Sequence, residues 1–371
     1  MTAPQIPSDW LERLPKVELH CHLIGSVRAE TFAELARRHN LELPESPEVI
    51  YQNINSKPPD PDLYRDTRIP VPQGPAADEP ETSYSLFQAC SWVTQLLRSA
   101  EDLTRVTYEA FEAARQSNVR HLELFIDQLP VHLEYLGYTG YIEAMAGGIR
   151  LAEREFGMTG RLIAGIDRSK TGGDAVSWVQ QVVNNPHPYL VGIGLDNLEN
   201  AGPPERFTDA YQLAGRSGLG RTAHSSEHVP SALNTITCLD QLGCDRIDHG
   251  YYVLEDDDVV ARLRREQTVF TVGCVTSRRS WRPWRRASIR AMIDAGLAVV
   301  PCSDDPGMFP NSLNNEYRIL ADQVGATAEQ LRAMSLRAVE ACWLPEQEKA
   351  VLRADVQAQI DAADKEFADT L

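Results

Sequence analysis

Short apolar runs alternate along the chain with longer stretches that carry apolar residues at helical spacing. The short runs are typical of strands buried on both faces, and amphipathic helical patterns lie between most of them. The stretch before the second run (99–117), for example, has acidic residues near its start and helical periodicity after them. The predicted strands are VELHCHL (17–23), VRHLELFI (119–126), GRLIAGI (160–166), YLVGIGL (189–195), GRTAH (220–224), DRIDHG (245–250), QTVFTVG (267–273) and LAVVPCS (297–303).

Eight strand-then-helix units favour an α/β fold in which a parallel sheet closes into a (β/α)₈ TIM barrel. An open, doubly wound sheet is the alternative, but the G-x-G-x-x-G motif of dinucleotide-binding sheets does not follow the first strand. The sequence contains no repeat and no linker between domains. We therefore expect residues 1–371 to form one barrel domain.

Two segments depart from this rhythm. About a hundred residues separate the first two strands, so we expect a long insertion there, at about residues 40–85. Its proline-rich part, residues 56–82, is predicted to be a loop at the barrel mouth, in the position of a lid. The segment from Leu344 to the C-terminus has the pattern of an amphipathic helix that packs on the outside of the barrel.

The amino-acid composition and the net charge limit which classes of molecule the protein is expected to bind. The net charge is −17, from 36 basic and 53 acidic residues, so we expect neither nucleic acid nor anionic membrane as a partner. The seven cysteines form no C-x-x-C pair, which argues against disulfides and a thiolate zinc site. No signal-peptide core and no membrane-length apolar run are present, so the expected compartment is the cytoplasm. Both a monomer and a homo-oligomer remain open.

The first strand carries a pair of histidines, His20 and His22. Side chains two positions apart on a strand point to the same side, so the two imidazoles lie together near the strand's end. Imidazole suits zinc, and a catalytic zinc uses about three protein ligands and an open position. The alternative is a pair of histidines in a half-buried strand, because H-x-H alone is a weak motif.

Further chemically active side chains follow at the ends of later strands. His224 ends the fifth strand, with Glu227 three residues on, and His249 ends the sixth; Asp304 and Asp305 follow the eighth. A tandem aspartate is usually a solvated turn or a helix cap. In an α/β barrel, however, the carboxyl ends of the strands build the active site, so these side chains are expected to meet at one rim. Zinc bound there would lower the pKa of a water to about 7, and a glutamate and a histidine could move its proton.

Five segments, spread from near the N-terminus to the last strand, carry a family signature. They are LPKVELHCHLIGS (14–26), VGIGLDNLEN (191–200), TAHSSE (222–227), DRIDHGYYVLED (245–256) and SDDPGMFPNSLNNEY (303–317). In order and spacing they resemble the adenosine and adenine deaminases of the metal-dependent amidohydrolase superfamily. GLDNLEN followed by PPERF is more similar to the bacterial adenine-deaminase branch than to the adenosine branch.

The resemblance implies an enzyme, a zinc-dependent hydrolytic deaminase. Its substrate would be a 6-aminopurine base, a nucleoside or a related aminated heterocycle, with one Zn²⁺ in each chain. The reaction would be attack by hydroxide on zinc, with loss of ammonia. The resemblance implies four zinc ligands: His20, His22, His224 and Asp304.

The same resemblance assigns the remaining roles. Glu227 would act as the proton shuttle to the ring nitrogen beside the amino-bearing carbon, and His249 would activate the hydroxide. Asp305 would hydrogen-bond another ring nitrogen. The backbone around Asp196 and Asn197 would line the other edge of the purine.

Three departures from the family pattern bear on the substrate. Ile24 stands where the family usually has an acidic residue, and an apolar side chain there accepts no hydrogen bond, so it is a candidate pocket residue. The usual histidine–alanine–glycine–glutamate reads H-S-S-E, with Ser225 and Ser226. The usual C-P-x-S-N after the seventh strand reads G-C-V-T-S (273–277). This pattern fits an enzyme that retains the deamination chemistry of the family but acts on a different substrate.

The loop and helix start SRRSWRPWRRASIR (277–290) concentrates arginine and tryptophan in an otherwise acidic chain. We favour the interpretation that these arginines pair with acidic neighbours or a second subunit. The alternative is that one or two of them, with Arg278 and Arg279 as candidates, bind a carboxylate or phosphate of an anionic substrate.

Two further functional hypotheses remain open at this point. The metal site could serve hydrolysis of a different C–N bond, such as that of an N-substituted amine. The chain could also be a non-catalytic homologue that binds purines or a protein partner, as the changes at Ile24, Ser225 and Ser226 would allow.

Overall fold

The computed structural model describes residues 6–58, 60–128 and 130–368. The described residues form eight parallel strands, each hydrogen-bonded to the next in chain order. The strands are β1 (Lys16–His22), β2 (Val119–Ile126), β3 (Thr159–Asp167), β4 (Leu190–Asp196), β5 (Gly220–Ser225), β6 (Ile247–His249), β7 (Val269–Val272) and β8 (Ala298–Pro301).

Helices follow the strands and surround the sheet, which confirms the predicted (β/α)₈ barrel. In the described residues they are α1 (Ser8–Arg13), α2 (Ala29–Arg38), α3 (Pro47–Gln52), α4 (Leu86–Leu96), α5 (Ala100–Gln116), α6 (Pro130–Phe156), α7 (Gly172–Asn184), α8 (Thr208–Arg216), α9 (Ala232–Thr237), α10 (Asp257–Glu266), α11 (Arg282–Asp294), α12 (Leu313–Ile319), α13 (Ala328–Ala341) and α14 (Glu346–Glu366). Among the described residues, no helix is both long enough and apolar enough to cross a membrane.

Local sequence signals explain where these elements begin and why the strands are so apolar. Each strand of a barrel is covered on both faces, so β2 and β3 are buried along nearly their whole length. The Ser99 hydroxyl caps α5, and Thr171 forms a capping box with Asp174 at the start of α7. Caps of this kind satisfy amide groups that the first turn of a helix leaves free.

The barrel closes between β8 and β1 through residues just beyond β8. The amide of His22 donates to the carbonyl of Asp304 at 2.9 Å, and the amide of Asp304 donates to the carbonyl of His20 at 3.2 Å. These hydrogen bonds place Asp304 beside the histidine pair of β1.

The segment between β1 and β2 packs over the carboxyl ends of the later strands. The hydroxyl of Tyr64 donates to the carbonyl of His228 at 2.7 Å, and the indole of Trp284 donates to the carbonyl of Ile69 at 2.9 Å. Helix α14 lies at the opposite end of the barrel, where Arg120 at the start of β2 pairs with Asp355 at 2.9 Å.

A buried ion pair ties the barrel to the segment after α13. The guanidinium of Arg246 lies 2.6 Å from the carboxylate of Glu123, and neither side chain is exposed by more than 1%. Arg246 also donates to the carbonyls of Leu19 and Ala341, and its guanidinium lies 3.9 Å from the ring of Trp343. One side chain therefore links β1, β2 and the C-terminal helices.

We predict that Glu123→Gln lowers the free energy of unfolding by about 3–5 kcal/mol, because it leaves a buried guanidinium without its counter-charge. Urea titration followed by tryptophan fluorescence measures the change. The control is Glu340→Gln, which breaks the solvent-exposed pair with Arg353 and should cost less than about 1 kcal/mol. Equal effects of the two substitutions would contradict the prediction.

Candidate active site

Four side chains converge at the carboxyl ends of the strands, all with ligating atoms within 4.8 Å of one another. The Nε2 atoms of His20 and His22 lie 3.3 Å apart, and those of His22 and His224 also lie 3.3 Å apart. Asp304 Oδ1 lies 3.4 Å from His20 Nε2 and 3.5 Å from His22 Nε2. The structure thus brings together the four residues that the sequence analysis grouped as ligands.

This cluster fits a zinc ion in both spacing and chemistry. Four ligand atoms at about 2.0–2.1 Å from a tetrahedral zinc are about 3.3 Å from each other, which is the spacing found here. Burial lowers the pKa of His22 to about 3, so its ring is neutral and has a lone pair for a metal. Three imidazoles and one carboxylate are a donor set that zinc commonly takes.

Asp248 orients two of the imidazoles from behind. Its Oδ1 lies 3.6 Å from His20 Nδ1 and its Oδ2 lies 3.4 Å from His224 Nδ1. The hydroxyl of Thr271 donates to Asp248 at 2.8 Å. His20 Nδ1 lies 3.0 Å from the same hydroxyl, so Thr271 bridges His20 to the carboxylate. A carboxylate behind Nδ1 favours the tautomer that leaves Nε2 free for a metal. The sequence analysis assigned no role to Asp248, although its place in R-I-D-H-G, one residue before His249, was a signal.

Glu227 and His249 lie beside the ligand cluster. Glu227 Oε2 is 3.5 Å from His249 Nε2 and 3.0 Å from His228 Nδ1, and Glu227 Oε1 accepts from Arg285 Nη2 at 2.9 Å. All are almost completely buried except His228. The carboxylate is therefore held on both oxygens and directed at the cluster.

The surroundings set the charge of this pair. Burial alone would raise the pKa of Glu227, but His228, His249 and Arg285 hold it well below its usual value. Burial, aided by the neighbouring His224, lowers the pKa of His249 well below its usual value. At neutral pH the resting site thus contains a glutamate that is ionised and a histidine that is neutral, and both can accept a proton.

Glu199, which follows β4, holds the loop that carries Glu227. Its carboxylate accepts hydrogen bonds from four consecutive backbone amides at 2.7–2.9 Å, those of residues 226–229. It also accepts from Asn234 Nδ2 at 3.3 Å. The sequence analysis quoted the GLDNLEN segment but gave Glu199 no role, since nothing in one sequence reveals a contact with backbone.

Four residues at strand ends adopt left-handed backbone conformations. The φ angles are 70° for Asn197, 52° for Ser226, 73° for His249 and 61° for Asp304. Such angles are strained for residues other than glycine and are concentrated at functional sites. Here they turn the chain at the ends of β4, β5, β6 and β8, and the side chains of Asn197, His249 and Asp304 line the cavity at the barrel mouth.

The site opens into a cavity of about 410 Å³, a size suited to a small organic molecule. Ile24, Asp196, Asn197, Asp305 and Arg278 contribute to its lining. A Cβ at position 25 would lie 1.8 Å from Asp305 Oδ1, so Gly25 is required for Asp305 to approach β1 so closely. Burial, followed by the charge of Asp304, raises the pKa of Asp305 well above its usual value.

Asp127, after β2, is a cavity residue that the sequence analysis missed. An oxygen of its carboxyl group lies within 4.8 Å of one of Asp196, and burial raises the pKa of both carboxyl groups. A single aspartate after an apolar strand gives no signal of this pairing, because the partner lies on a strand two positions away. The two carboxyls form one wall of the cavity.

The departures from the family pattern divide into two groups. Ile24, Thr276 and Ser277 line the cavity. Ser225 and Ser226 do not; their hydroxyls lie 3.1 and 2.9 Å from the Thr235 hydroxyl, away from the cavity. The serine substitutions are therefore accommodated by hydrogen bonds behind the strand end.

The arginines of residues 277–290 also divide into those that line the cavity and those that do not. Arg279, a candidate for substrate binding, donates to Asp78 and Gln52 of the β1–β2 segment and is not among the cavity-lining residues. Arg285 contacts Glu227, which the sequence did not predict. Arg278 alone of these three lines the cavity.

Comparison with known proteins agrees with this site. A profile of the adenosine deaminase family matches residues 75–359. The chain belongs to the adenosine deaminase family. The predicted enzyme class, a metal-dependent hydrolytic deaminase of the amidohydrolase superfamily, is thereby confirmed.

Relatives of similar length match nearly the whole chain in sequence or in structure. An adenine deaminase of Ralstonia pickettii is 29% identical over 96% of this chain and 99% of its own. A zinc-bound amidohydrolase from Burkholderia ambifaria superposes with a TM-score of 0.83 at 29% identity, covering 99% of this chain and 97% of that one. An adenine deaminase from Arthrobacter aurescens gives a TM-score of 0.76 at 27% identity, covering 94% and 99%.

We predict that Asp248→Asn weakens zinc binding by about 10- to 100-fold, because the amide no longer fixes the metal-binding tautomers of His20 and His224. Competition with a fluorescent zinc chelator measures the affinity. The control is Asp294→Asn at an exposed position that pairs with Arg290, where the affinity should not change. An unchanged affinity in Asp248→Asn would show that the carboxylate does not orient the ligands.

Proposed function

We propose that the protein is a zinc-dependent hydrolytic deaminase of a 6-aminopurine base, a nucleoside or a related aminated heterocycle. The observation that carries the proposal is the placement of Glu227 and His249, 3.5 Å apart, beside the four-ligand cluster in one cavity. Hydrolytic deamination needs an activated water and a group that delivers a proton to the ring, and these residues provide both. Relatives described as adenine deaminases and the zinc-bound neighbour support this substrate class and this metal.

The side chains have different roles in the proposed reaction. When bound at the cluster, zinc supplies the positive charge that makes a water nucleophilic at neutral pH. His249 Nε2, neutral in the resting site, accepts the proton of that water or hydrogen-bonds to it. Glu227, ionised in the resting site, takes up a proton and delivers it to the ring nitrogen beside the amino-bearing carbon.

Other cavity residues position the ring. Asp305 hydrogen-bonds a second ring nitrogen, and the backbone around Asp196 and Asn197 borders the opposite edge of the purine. Asp127 extends that wall. Contacts on opposite edges of one planar ring would hold its amino-bearing carbon above the ligand cluster, and such positioning contributes strongly to rate.

We predict that Glu227→Gln keeps the bound metal but lowers kcat for ammonia release from its purine substrate by about 10²–10⁴-fold, because the amide cannot shuttle a proton. A coupled ammonia assay and metal analysis of the same preparation measure both quantities. Glu205→Gln, an exposed glutamate beyond β4, is the control and should leave kcat unchanged. A Glu227→Gln variant with full activity would exclude Glu227 as the shuttle.

The metal content of the purified protein tests the proposed dependence on zinc. The purified protein should contain about one zinc per chain. Treatment with dipicolinate should abolish deamination, and added Zn²⁺ should restore it. A metal-free protein that keeps its fold and its activity would overturn the proposed chemistry.

A further inference from the structure

Arg278 is a buried cation that faces the cavity, and its guanidinium forms no hydrogen bond or ion pair with any described residue. Its side chain is 3% exposed and lines the cavity. Its Nε and Nη1 atoms are buried and have no hydrogen-bond partner among the described residues. An arginine remains protonated in proteins, and a buried charge without a counter-charge is costly. A ligand that carries a negative charge would remove this cost.

The neighbouring arginines differ from Arg278 in this respect. Within residues 277–290, all of which the structure describes, Arg278 is the one arginine whose guanidinium makes no hydrogen bond or ion pair. The others donate to groups of the protein: Arg279 to Asp78, Arg282 to the Thr276 carbonyl, Arg285 to Glu227, Arg286 to Gln323 and Arg290 to Asp294. Arg279, Arg285 and Arg290 therefore pair with acidic neighbours, as the favoured interpretation expected. Arg282 and Arg286 donate to neutral groups instead, and Arg278 does neither.

Glu227 does not explain the charge of Arg278. The carboxylate of Glu227 is already contacted by Arg285 on one oxygen and by His228 on the other. Burial lowers the pKa of Arg278, and the nearby charge of Glu227 offsets this only in part. Arg285 and His228 therefore already balance the charge of Glu227, and Arg278 adds a further positive charge to the resting site.

The surroundings of Arg278 suit recognition of an anion. The guanidinium lies 4.5 Å from the ring of Trp281, which restrains the orientation of its plane. Lys57 of the β1–β2 segment lines the same cavity, as do the hydroxyl-bearing residues Ser56 and Ser277. A planar guanidinium with additional hydroxyl donors matches the geometry of a carboxylate or phosphate.

We propose that Arg278 binds an anionic group, a carboxylate or a phosphate, carried by a substituent on the 6-aminopurine substrate. This inference rests on the proposed function, since it places the anion in the same cavity as the deamination chemistry. It identifies Arg278 as a residue that determines specificity.

The test uses the zinc-loaded protein and matched pairs of 6-aminopurines that differ in one charged group. The pairs are AMP with adenosine, adenine-9-acetic acid with 9-ethyladenine, and N6-carboxymethyladenine with N6-ethyladenine. Conversion to the 6-oxopurine is followed by absorbance, which detects release of either ammonia or an amine. The first pair tests a phosphate and the others test a carboxylate at two positions.

In the wild-type protein, kcat/KM for the anionic member of at least one pair should exceed that of the neutral member by about 10- to 100-fold, as expected for a charge-assisted hydrogen bond. Arg278→Gln should abolish that ratio, because it should lower kcat/KM for the anionic member of the pair far more than for the neutral member. Arg278→Lys keeps the charge without the planar fork and should retain part of the ratio. Arg286→Gln, in the same segment but outside the cavity, should change nothing.

Two outcomes overturn the inference: no anionic compound is preferred by the wild-type protein, or the preference survives in Arg278→Gln. Circular dichroism and zinc content show that each variant is folded and loaded. Calorimetric binding of the unreactive products IMP and inosine, hypoxanthine-9-acetic acid and 9-ethylhypoxanthine, and hypoxanthine itself provides a readout without turnover. Anion-selective binding that Arg278→Gln abolishes, in a protein that deaminates none of the compounds, would retain the anion site and reject the proposed function.

Discussion

The closure of the barrel between β8 and β1 is the interaction on which the active site depends. The closing hydrogen bonds are made by the backbones of His20, His22 and Asp304, whose side chains form most of the ligand cluster. Because the same residues join the ends of the sheet and form the proposed metal site, the spacing of the cluster is set by the closure of the barrel. The left-handed conformation of Asp304 gives its backbone and its side chain these two directions at once.

The sequence predicted the residues that stand at the ends of strands, because a barrel sends those ends to a common rim. His20, His224, His249 and Asp304 could be grouped without knowledge of any contact, and the structure places them together. The residues that support them were harder to find. Asp248 contacts the histidines through their far nitrogens, which no spacing rule encodes.

The arginine-rich segment illustrates why substrate recognition is less predictable than catalysis. Several arginines within a few positions are equivalent in sequence, but their directions depend on the start of α11 and on the packing of Trp281 and Trp284. A shift of one position separates Arg279, which holds the β1–β2 segment, from Arg278, which faces the cavity. Composition could indicate a basic cluster there, but only packing determines which member is left without a partner.

The hydrogen bonds that four successive main-chain amides donate to Glu199 have a consequence for how this enzyme can evolve. Every residue except proline carries a backbone N–H, so these hydrogen bonds do not require particular side chains at residues 226–229. Ser226 is an instance: it replaces a smaller residue of the family pattern while its amide still donates to Glu199. Mutations can therefore accumulate around Glu227 and alter the neighbourhood of the substrate, while the position of its carboxylate, the proposed proton shuttle, is inherited unchanged.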